Sequence, residues 1–243
     1  RDFCLSRGLG DVYKRQVQDW PIPGEVLPQN IGTMKWDGKI PFKHTEKLSI
    51  KRSDDFDEDC LAPQWQWNYQ PRKDYFSLTE RPGWLRLKAY RPLETNNLLK
   101  AGNTLTQRTF RKQNNDVTIK MDISNMQDGQ KNGLCHFSSQ HSAIGIVKEE
   151  DACYLEYRKN GNITKGIQIH SEFVWFRTEW GMDGKSQYYY SLDGDNFLPF
   201  GEKYQLTWGN YRGDRIGIYC FNDKKETLSL IHISEPTRQA EIS

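Results

Sequence analysis

The composition of the chain excludes two broad classes of partner. The chain has 243 residues, of which 36% are hydrophobic, and a mean hydropathy of −0.85, so no stretch supplies the roughly 20 apolar residues of a membrane span. Lys and Arg number 34 against 32 Asp and Glu, a net charge of +2. Nucleic-acid-binding proteins normally concentrate basic charge on one face, so we expect neither a membrane nor a nucleic acid as partner. The 13% aromatic content favours β structure.

The two ends of the chain resemble translated sequencing-adapter DNA. Residues 6–16 read SRGLGDVYKRQ and residues 228–238 read LSLIHISEPTR. A DNA segment that encodes DVYKRQ can encode LSLIHI when its complementary strand is read in a suitable frame. We therefore interpret 1–16 and 227–243 as adapter-derived and exclude them from the fold prediction; natural tails are the alternative.

The stretch between residues 17 and 48 has no sustained hydrophobic period. Its prolines, Pro21, Pro23, Pro28 and Pro41, are incompatible with a regular helix. We expect an extended connector here.

Alternating polar and apolar residues dominate the region from 49 to 226. The clearest case is 117–123, where Val117, Ile119, Met121 and Ile123 alternate with polar residues, the pattern of a half-buried strand. Further strands are predicted near 64–69, 85–90, 134–137, 143–148, 153–158, 167–170, 173–179, 187–191, 204–208 and 215–221. Turn residues such as the Asn-Gly and Asp-Gly pairs separate them. Many short strands without a helical period predict an all-β sandwich or barrel.

An ordered series of motifs resembles one known domain. The motifs are DDFD at 54–57, PQWQWN at 63–68, SLTERPGWLRL at 77–87, NTLTQR at 103–108, DGQKNGL at 128–134, AIGIVK at 143–148 and YSLDGDNF at 190–197. In this order they resemble the concanavalin A-like domain that follows the catalytic propeller in glycoside hydrolase family 43 β-xylosidases and α-L-arabinofuranosidases. DWPIPG at 19–24 resembles the last stretch of that propeller.

The resemblance implies an all-β fold, a concanavalin A-like jelly-roll β-sandwich preceded by a short remnant of a β-propeller. Under this interpretation 17–48 is the propeller tail and linker. The sandwich occupies 49–226, and we expect it to lack its last strand, because the adapter-like sequence begins at 227.

The resemblance also implies a function. Family 43 enzymes are inverting glycosidases, which need two carboxyl groups about 6.5–9.5 Å apart, and in the family these groups lie on the propeller. No catalytic residue is therefore assigned to this chain. The expected role is an accessory domain of a xylan-degrading exo-glycosidase that packs on the propeller of the same parent chain and helps close its substrate pocket. The expected substrates are xylo-oligosaccharide or arabinoxylan fragments.

The sequence is also compatible with two alternative functions. The chain is alternatively a carbohydrate-binding module for xylan, with Trp84, Tyr90 and Tyr189 as aromatics predicted to face outward. A third and weaker alternative is an independent enzyme built on the sandwich.

One loop is the candidate for closing the pocket. The segment 136–141, HFSSQH, lies where the family pattern places the loop that reaches the propeller. Phe137 is the candidate aromatic, with Gln140 and His141 as polar neighbours at the pocket edge. The alternative is that Phe137 is a strand-end core residue.

The remaining candidate residues have structural interpretations. Trp65 and Trp67, spaced i and i+2, are predicted to enter the core rather than stack on sugar. Glu80 and Arg81 are predicted to form a buried ion pair that fixes their turn.

No metal and no cofactor are expected, because His136, His141 and His170 lack the spacing of a metal pair. Calcium at the oxygen-rich 193–196 turn is a minority alternative to a tight hairpin, on the residues Asp193, Asp195 and Asn196.

Overall fold

A computed structural model describes residues 16–17, 20–21, 53–109, 112–207, 213–224 and 230–234, the first two and the last of these ranges as backbone only. The chain divides into two compact units, Arg1–Ser49 and Ile50–Ser243. In the first unit β1 (Gln16–Val17) pairs antiparallel with β2 (Trp20–Pro21). The propeller remnant predicted at 17–48 stays a prediction, because most of these residues lie outside the described ones.

Where the structure describes it, the second unit is built of antiparallel strands with 3₁₀ turns at Lys73–Tyr75 and Leu98–Lys100. None of the helices in the described ranges has the length and apolar character needed to cross a membrane. The strands are β3 (Gln66–Trp67), β4 (Phe76–Ser77), β5 (Leu85–Lys88), β6 (Thr104–Arg108), β7 (Asn115–Asp122), β8 (Gln130–Phe137), β9 (His141–Glu149), β10 (Ala152–Lys159), β11 (Asn162–Ile169), β12 (Phe173–Trp180), β13 (Lys185–Ser191), β14 (Leu198–Pro199), β15 (Tyr204–Gln205), β16 (Arg215–Asn222) and β17 (Leu230–Ser234).

These strands form two sheets. The seven-stranded sheet has the order β11-β10-β9-β8-β16-β6-β3. The eight-stranded sheet has the order β14-β13-β12-β7-β17-β5-β4, with β15 attached to β13. About half of the neighbouring strands are consecutive in the chain, and the others, such as β16 with β6 and β8, are distant in sequence.

The core lies between the two sheets and follows from the alternation of side chains along each strand. Val117, Ile119 and Met121 of β7 are at most 1% exposed, whereas the residues between them are half-buried on the outer face. On the other sheet Leu134 of β8 and Ile144 of β9 belong to the same apolar cluster. The predicted all-β sandwich is confirmed.

The sandwich continues beyond residue 226, where the sequence analysis placed its end. β17 lies between β5 and β7 and pairs with both, with Ile231 opposite Leu87 and Ile233 opposite Met121. The segment LIHIS is rich in β-branched residues, which favour strands, and it completes the hydrogen bonding of two strands that would otherwise be edges. β17 thus extends the eight-stranded sheet past the predicted boundary, whereas the expected loss of the family's final strand stays a prediction. The adapter origin of these residues stays a prediction.

Candidate functional site at the β8–β9 hairpin

The candidate pocket-edge loop is the tip of a β-hairpin. β8 ends at Phe137 and β9 begins at His141, and these two residues are paired across the hairpin. The Ser138 N–H donates to the Gln140 carbonyl, with N and O 2.9 Å apart, which closes the tip. The loop is therefore short and fixed at its base by the strand register.

Phe137 does not enter the core between the sheets. Because side chains alternate along β8, Leu134 and His136 face the core, and Cys135 and Phe137 face outward. Phe137 is half-buried and packs on a small apolar cluster on the outer face of the seven-stranded sheet, formed by Leu98, Ala101, Cys135, Ala143, Tyr219 and Phe221. The phenyl ring is therefore partly packed and partly accessible, and its role at a pocket edge stays a prediction.

Gln140 and His141 meet in one surface depression of about 470 Å³. Gln140 is exposed, and His141 is 6% exposed. The structure brings these two predicted residues together, whereas Phe137 lies at the base of the hairpin and not in the lining. The complete lining is Asn96, Asn97, Leu99, Ser139, Gln140, His141, Asn160 and Gly161.

His141 is locked to the neighbouring hairpin. Its N–H donates to Asn160 Oδ1 at 2.9 Å, and the Asn160 N–H donates to the His141 carbonyl at 3.0 Å. Burial and the nearby Arg158 guanidinium lower the pKa of His141 to about 4. The imidazole is therefore neutral near pH 7, so it offers hydrogen bonding rather than charge to a ligand.

A buried set of charges and one asparagine, here called the Asn96 cluster, lies beside this depression. Arg158 pairs with Glu156, and Lys131 pairs with Asp223, all four side chains being at most 14% exposed. Asn96 joins the two pairs, because its Oδ1 accepts from Arg158 Nη1 at 2.7 Å and from Lys131 Nζ at 2.9 Å. The Asn96 N–H donates to Asp223 Oδ1 at 2.7 Å. The cluster fastens the segment that carries Asn96 to the outer face of the seven-stranded sheet.

The Asn96 cluster is not predicted from the sequence. Its one local signal is the pair Glu156 and Arg158, which are charged and spaced i and i+2 inside a predicted strand. Such charges share one face of the strand, and they need partners when that face is covered. Their covering segment is about 60 residues away in sequence, so no local pattern reveals it.

The tryptophan prediction agrees with the structure. Trp65 and Trp67 are partly buried against the main core, and Trp65 Nε1 donates to Asp54 Oδ2 at 2.6 Å. Because both indole rings pack against the core, neither is available to stack on a sugar ring.

The predicted ion pair between Glu80 and Arg81 is wrong. Glu80 pairs instead with Arg86 of β5, and Arg81 Nη1 lies 2.7 Å from Asp122 Oδ2 at the end of β7. Adjacent residues in this turn point to different strands, so each charge is satisfied by a strand partner rather than by its neighbour.

The histidines are separated in the fold. His136 is 1% exposed, its Nε2 lies 2.9 Å from Thr178 Oγ1, and burial lowers its pKa to about 3. His170 is exposed at the end of β11. Within the described ranges, no group of three or more His, Cys, Asp or Glu side chains is placed to hold a metal ion.

The oxygen-rich turn after β13 is organised by hydrogen bonds. Asp193 Oδ1 accepts from the N–H groups of Asp195 and Asn196 at 2.9 and 2.8 Å, and Oδ2 accepts from Asn196 Nδ2 at 2.7 Å. These bonds, the Asn196 amide first, lower the pKa of Asp193. The arrangement is an Asx-type turn, so the residue pattern is explained by the tight hairpin.

The three aromatics predicted to face outward behave differently. Tyr90 is 7% exposed and packs edge-on against Tyr75 at 5.0 Å, with the Arg72 guanidinium 4.6 Å from its ring centre. It lies outside the core cluster that contains Leu85, Leu87 and Ala89, but it is covered and is not open to a polysaccharide. Trp84 and Tyr189 are half-buried; the ring of Trp84 is covered by the Arg81 guanidinium at 4.0 Å.

Comparison with known proteins identifies the family of this chain. Residues 53–232 match the family described as the β-xylosidase C-terminal concanavalin A-like domain. The chain is 33% identical over 231 residues to a β-xylosidase of Formosa agariphila, covering 86% of this chain and 39% of that protein.

Two solved structures share the fold. One is a bifunctional GH43-CE protein of Bacteroides eggerthii, with a TM-score of 0.71 and 25% identity over 94% of this chain and 30% of the other. The second is a GH43 glycoside hydrolase engineered to display both endo-xylanase and exo-arabinofuranosidase activity, with a TM-score of 0.71 and 22% identity over 83% of this chain and 42% of the other.

The chain thus spans about two fifths or less of the length of these relatives. The match covers the whole described sandwich, from the segment before β3 into β17. The chain belongs to the family of β-xylosidase C-terminal concanavalin A-like domains.

Proposed function

We propose that this domain is the accessory β-sandwich of a xylan-degrading inverting exo-glycosidase, packing on the catalytic propeller of the same parent chain. In this proposal the β8–β9 hairpin forms one edge of the substrate pocket. The substrates are xylo-oligosaccharide or arabinoxylan fragments, and the catalytic acid and base are supplied by the propeller. Family membership and the β-xylosidase name of the Formosa relative support this assignment.

The main observation that supports the proposal is the rigid structure of the β8–β9 hairpin. The hairpin carries a half-buried phenyl ring at position 137 and an exposed amide at position 140. The pairing below its tip is unbroken from Phe137–His141 to Lys131–Val147. A residue that closes a pocket acts by holding a fixed position and by excluding water. The tight turn and the strand pairing supply that rigidity.

The Asn96 cluster adds to this support. It holds the segment with Asn96 and Asn97 beside the hairpin, so both walls of the depression are anchored to the sheet. Rigid support behind contact residues is what a positioning role requires. Leu98 and Ala101, which follow Asn96 and Asn97, pack on Tyr219 and Phe221. These two aromatic rings are therefore not accessible to a polysaccharide.

Substitution Phe137→Ala tests the pocket-edge role. In the full-length enzyme that carries this domain, we expect KM for xylobiose to rise about 5- to 10-fold, because an apolar contact worth on the order of 1 kcal/mol is removed from the pocket edge. We expect the melting temperature to change little, since the ring is only half-buried. Steady-state kinetics and thermal unfolding measure the two effects.

Phe173→Ala is the matched control, because Phe173 is a half-buried phenylalanine on the outer face of the other sheet. It should leave KM unchanged. A large fall in melting temperature for Phe137→Ala with an unchanged KM would show that Phe137 is a packing residue and would contradict the proposal.

A further inference from the structure

A second and larger depression lies on the outer face of the eight-stranded sheet, where β7, β12 and β13 meet. Its volume is about 810 Å³. It lies on a different sheet from the β8–β9 hairpin and shares no lining residue with the depression at that hairpin. We propose that it is a binding site for a neutral oligosaccharide, separate from the pocket edge.

The strand register places the lining side chains on one face. Asp116 of β7 is directly opposite Glu179 of β12, and Glu179 is directly opposite Gln187 of β13. Arg177 is likewise opposite Tyr189. Their sequence neighbours are at most 1% exposed and point into the core, namely Val117, Thr178 and Tyr188. Two carboxylates, an amide, a guanidinium and a phenol therefore line one surface.

The two carboxylates provide hydrogen-bond acceptors. Glu179 lies one strand away from Tyr189, and burial together with this carboxylate raises the pKa of the phenol. Asp116 is half-buried and accepts no hydrogen bond from the described part of the chain. Its pKa is raised by burial and by Glu179, with Arg177 acting in the opposite direction. A partly buried carboxylate without a donor is suited to a ligand rich in hydroxyl groups.

The cationic group of the depression is fixed before any ligand arrives. Arg177 Nε donates to Thr118 Oγ1 at 3.0 Å, and its guanidinium lies 3.7 Å from the centre of the Phe197 ring. A side chain held on both sides loses little further freedom on binding, which favours recognition.

The charge balance selects a neutral ligand. The lining contains three acidic residues, Asp116, Glu179 and Asp183, and three basic residues, Arg177, Lys185 and Lys203. These charges cancel. The uncharged polar side chains that reach the surface here are Gln113, Asn114, Gln187 and Tyr189. A half-exposed aromatic ring among donors and acceptors, without net charge, suits the apolar face and hydroxyl edge of a sugar better than an ion.

The choice of sugar rests on the proposed function, which points to xylan. The probe is therefore xylohexaose, titrated calorimetrically into the purified 243-residue chain after circular dichroism has shown its β structure. We expect binding, a loss of affinity of about tenfold or more for Tyr189→Ala, and a several-fold loss for Asp116→Asn. Tyr154→Ala is the matched control, because Tyr154 is half-buried on the outer face of the other sheet, and it should bind as the unsubstituted chain does.

The outcomes separate this site from the pocket edge. Absence of binding by the folded chain, equal loss in Tyr154→Ala, or heat from CaCl₂ in place of xylohexaose would each overturn the proposal. Binding that survives Phe137→Ala but not Tyr189→Ala supports it, whatever the kinetic result for Phe137. If xylohexaose binds here and Phe137→Ala leaves KM unchanged, the pocket-edge role fails and this site stands.

Discussion

Arg158→Met should lower the free energy of unfolding by about 3–5 kcal/mol, because it leaves Glu156 buried without its partner. Arg158 is 2% exposed and Glu156 is 5% exposed, so water cannot replace the missing cation. The variant also loses the donor to Asn96 Oδ1 and with it part of the anchor of the covering segment. Urea unfolding at pH 7 measures the change.

Two further variants separate the charge effect from general damage. Glu156→Gln combined with Arg158→Met removes both charges and should recover a large part of the lost stability, because no uncompensated charge remains. Lys165→Met breaks the exposed contact to Glu149 and should change stability by about 1 kcal/mol or less. If Arg158→Met unfolds at the same urea concentration as the unsubstituted chain, the Asn96 cluster is not the anchor described here.

Acidification from pH 7 to pH 5 should lower the free energy of unfolding by about 2 kcal/mol for each of the buried histidines His136 and His141. In the folded chain their pKa values are lowered to about 3 and about 4, against an ordinary value of 6.5. Below pH 6.5 the unfolded chain binds protons that the folded chain does not. Stability is therefore full above that pH, falls as the pH drops through it, and stops falling below the folded pKa values.

Urea unfolding at pH 7, 6 and 5 tests this dependence. His136→Gln removes one of the two groups and should reduce the pH dependence by about half, even where it lowers stability at every pH. Leu134→Ala is the matched control, because Leu134 is a buried core residue without an ionisable group; it should lower stability at every pH and leave the pH dependence unchanged. A curve for His136→Gln that runs parallel to that of the unsubstituted chain would show that His136 does not contribute.

The strands themselves are largely predictable from the sequence. Alternation is a local property, and it indicates β7 and the strands around it, because one face of each strand is buried in the same core. Alternation does not show which outer-face side chains are covered by other segments, as Tyr90 is by Arg72 and Tyr75. Alternation also gives no information on which strands pair. The position of β17 between β5 and β7 is therefore seen only in the structure.

The site is predictable only where its parts are close in sequence. Gln140 and His141 lie in one short hairpin, so a motif suffices to place them together. The Asn96 cluster joins residues 96, 131, 158 and 223, and the second depression depends on the register of three strands. Charge partners show the same limit, since Arg81 finds Asp122 rather than its neighbour. Long-range pairing decides these contacts, and local patterns do not encode it.

The accessory role is tested most directly by turnover of aryl β-xyloside and aryl α-L-arabinofuranoside. The purified chain, shown to be folded by its β-type circular dichroism, should release no aryl alcohol above the buffer rate. The full-length enzyme assayed beside it should hydrolyse at least one of the two substrates. Release of product by the 243-residue chain alone would place the catalytic groups within the sandwich and contradict the account.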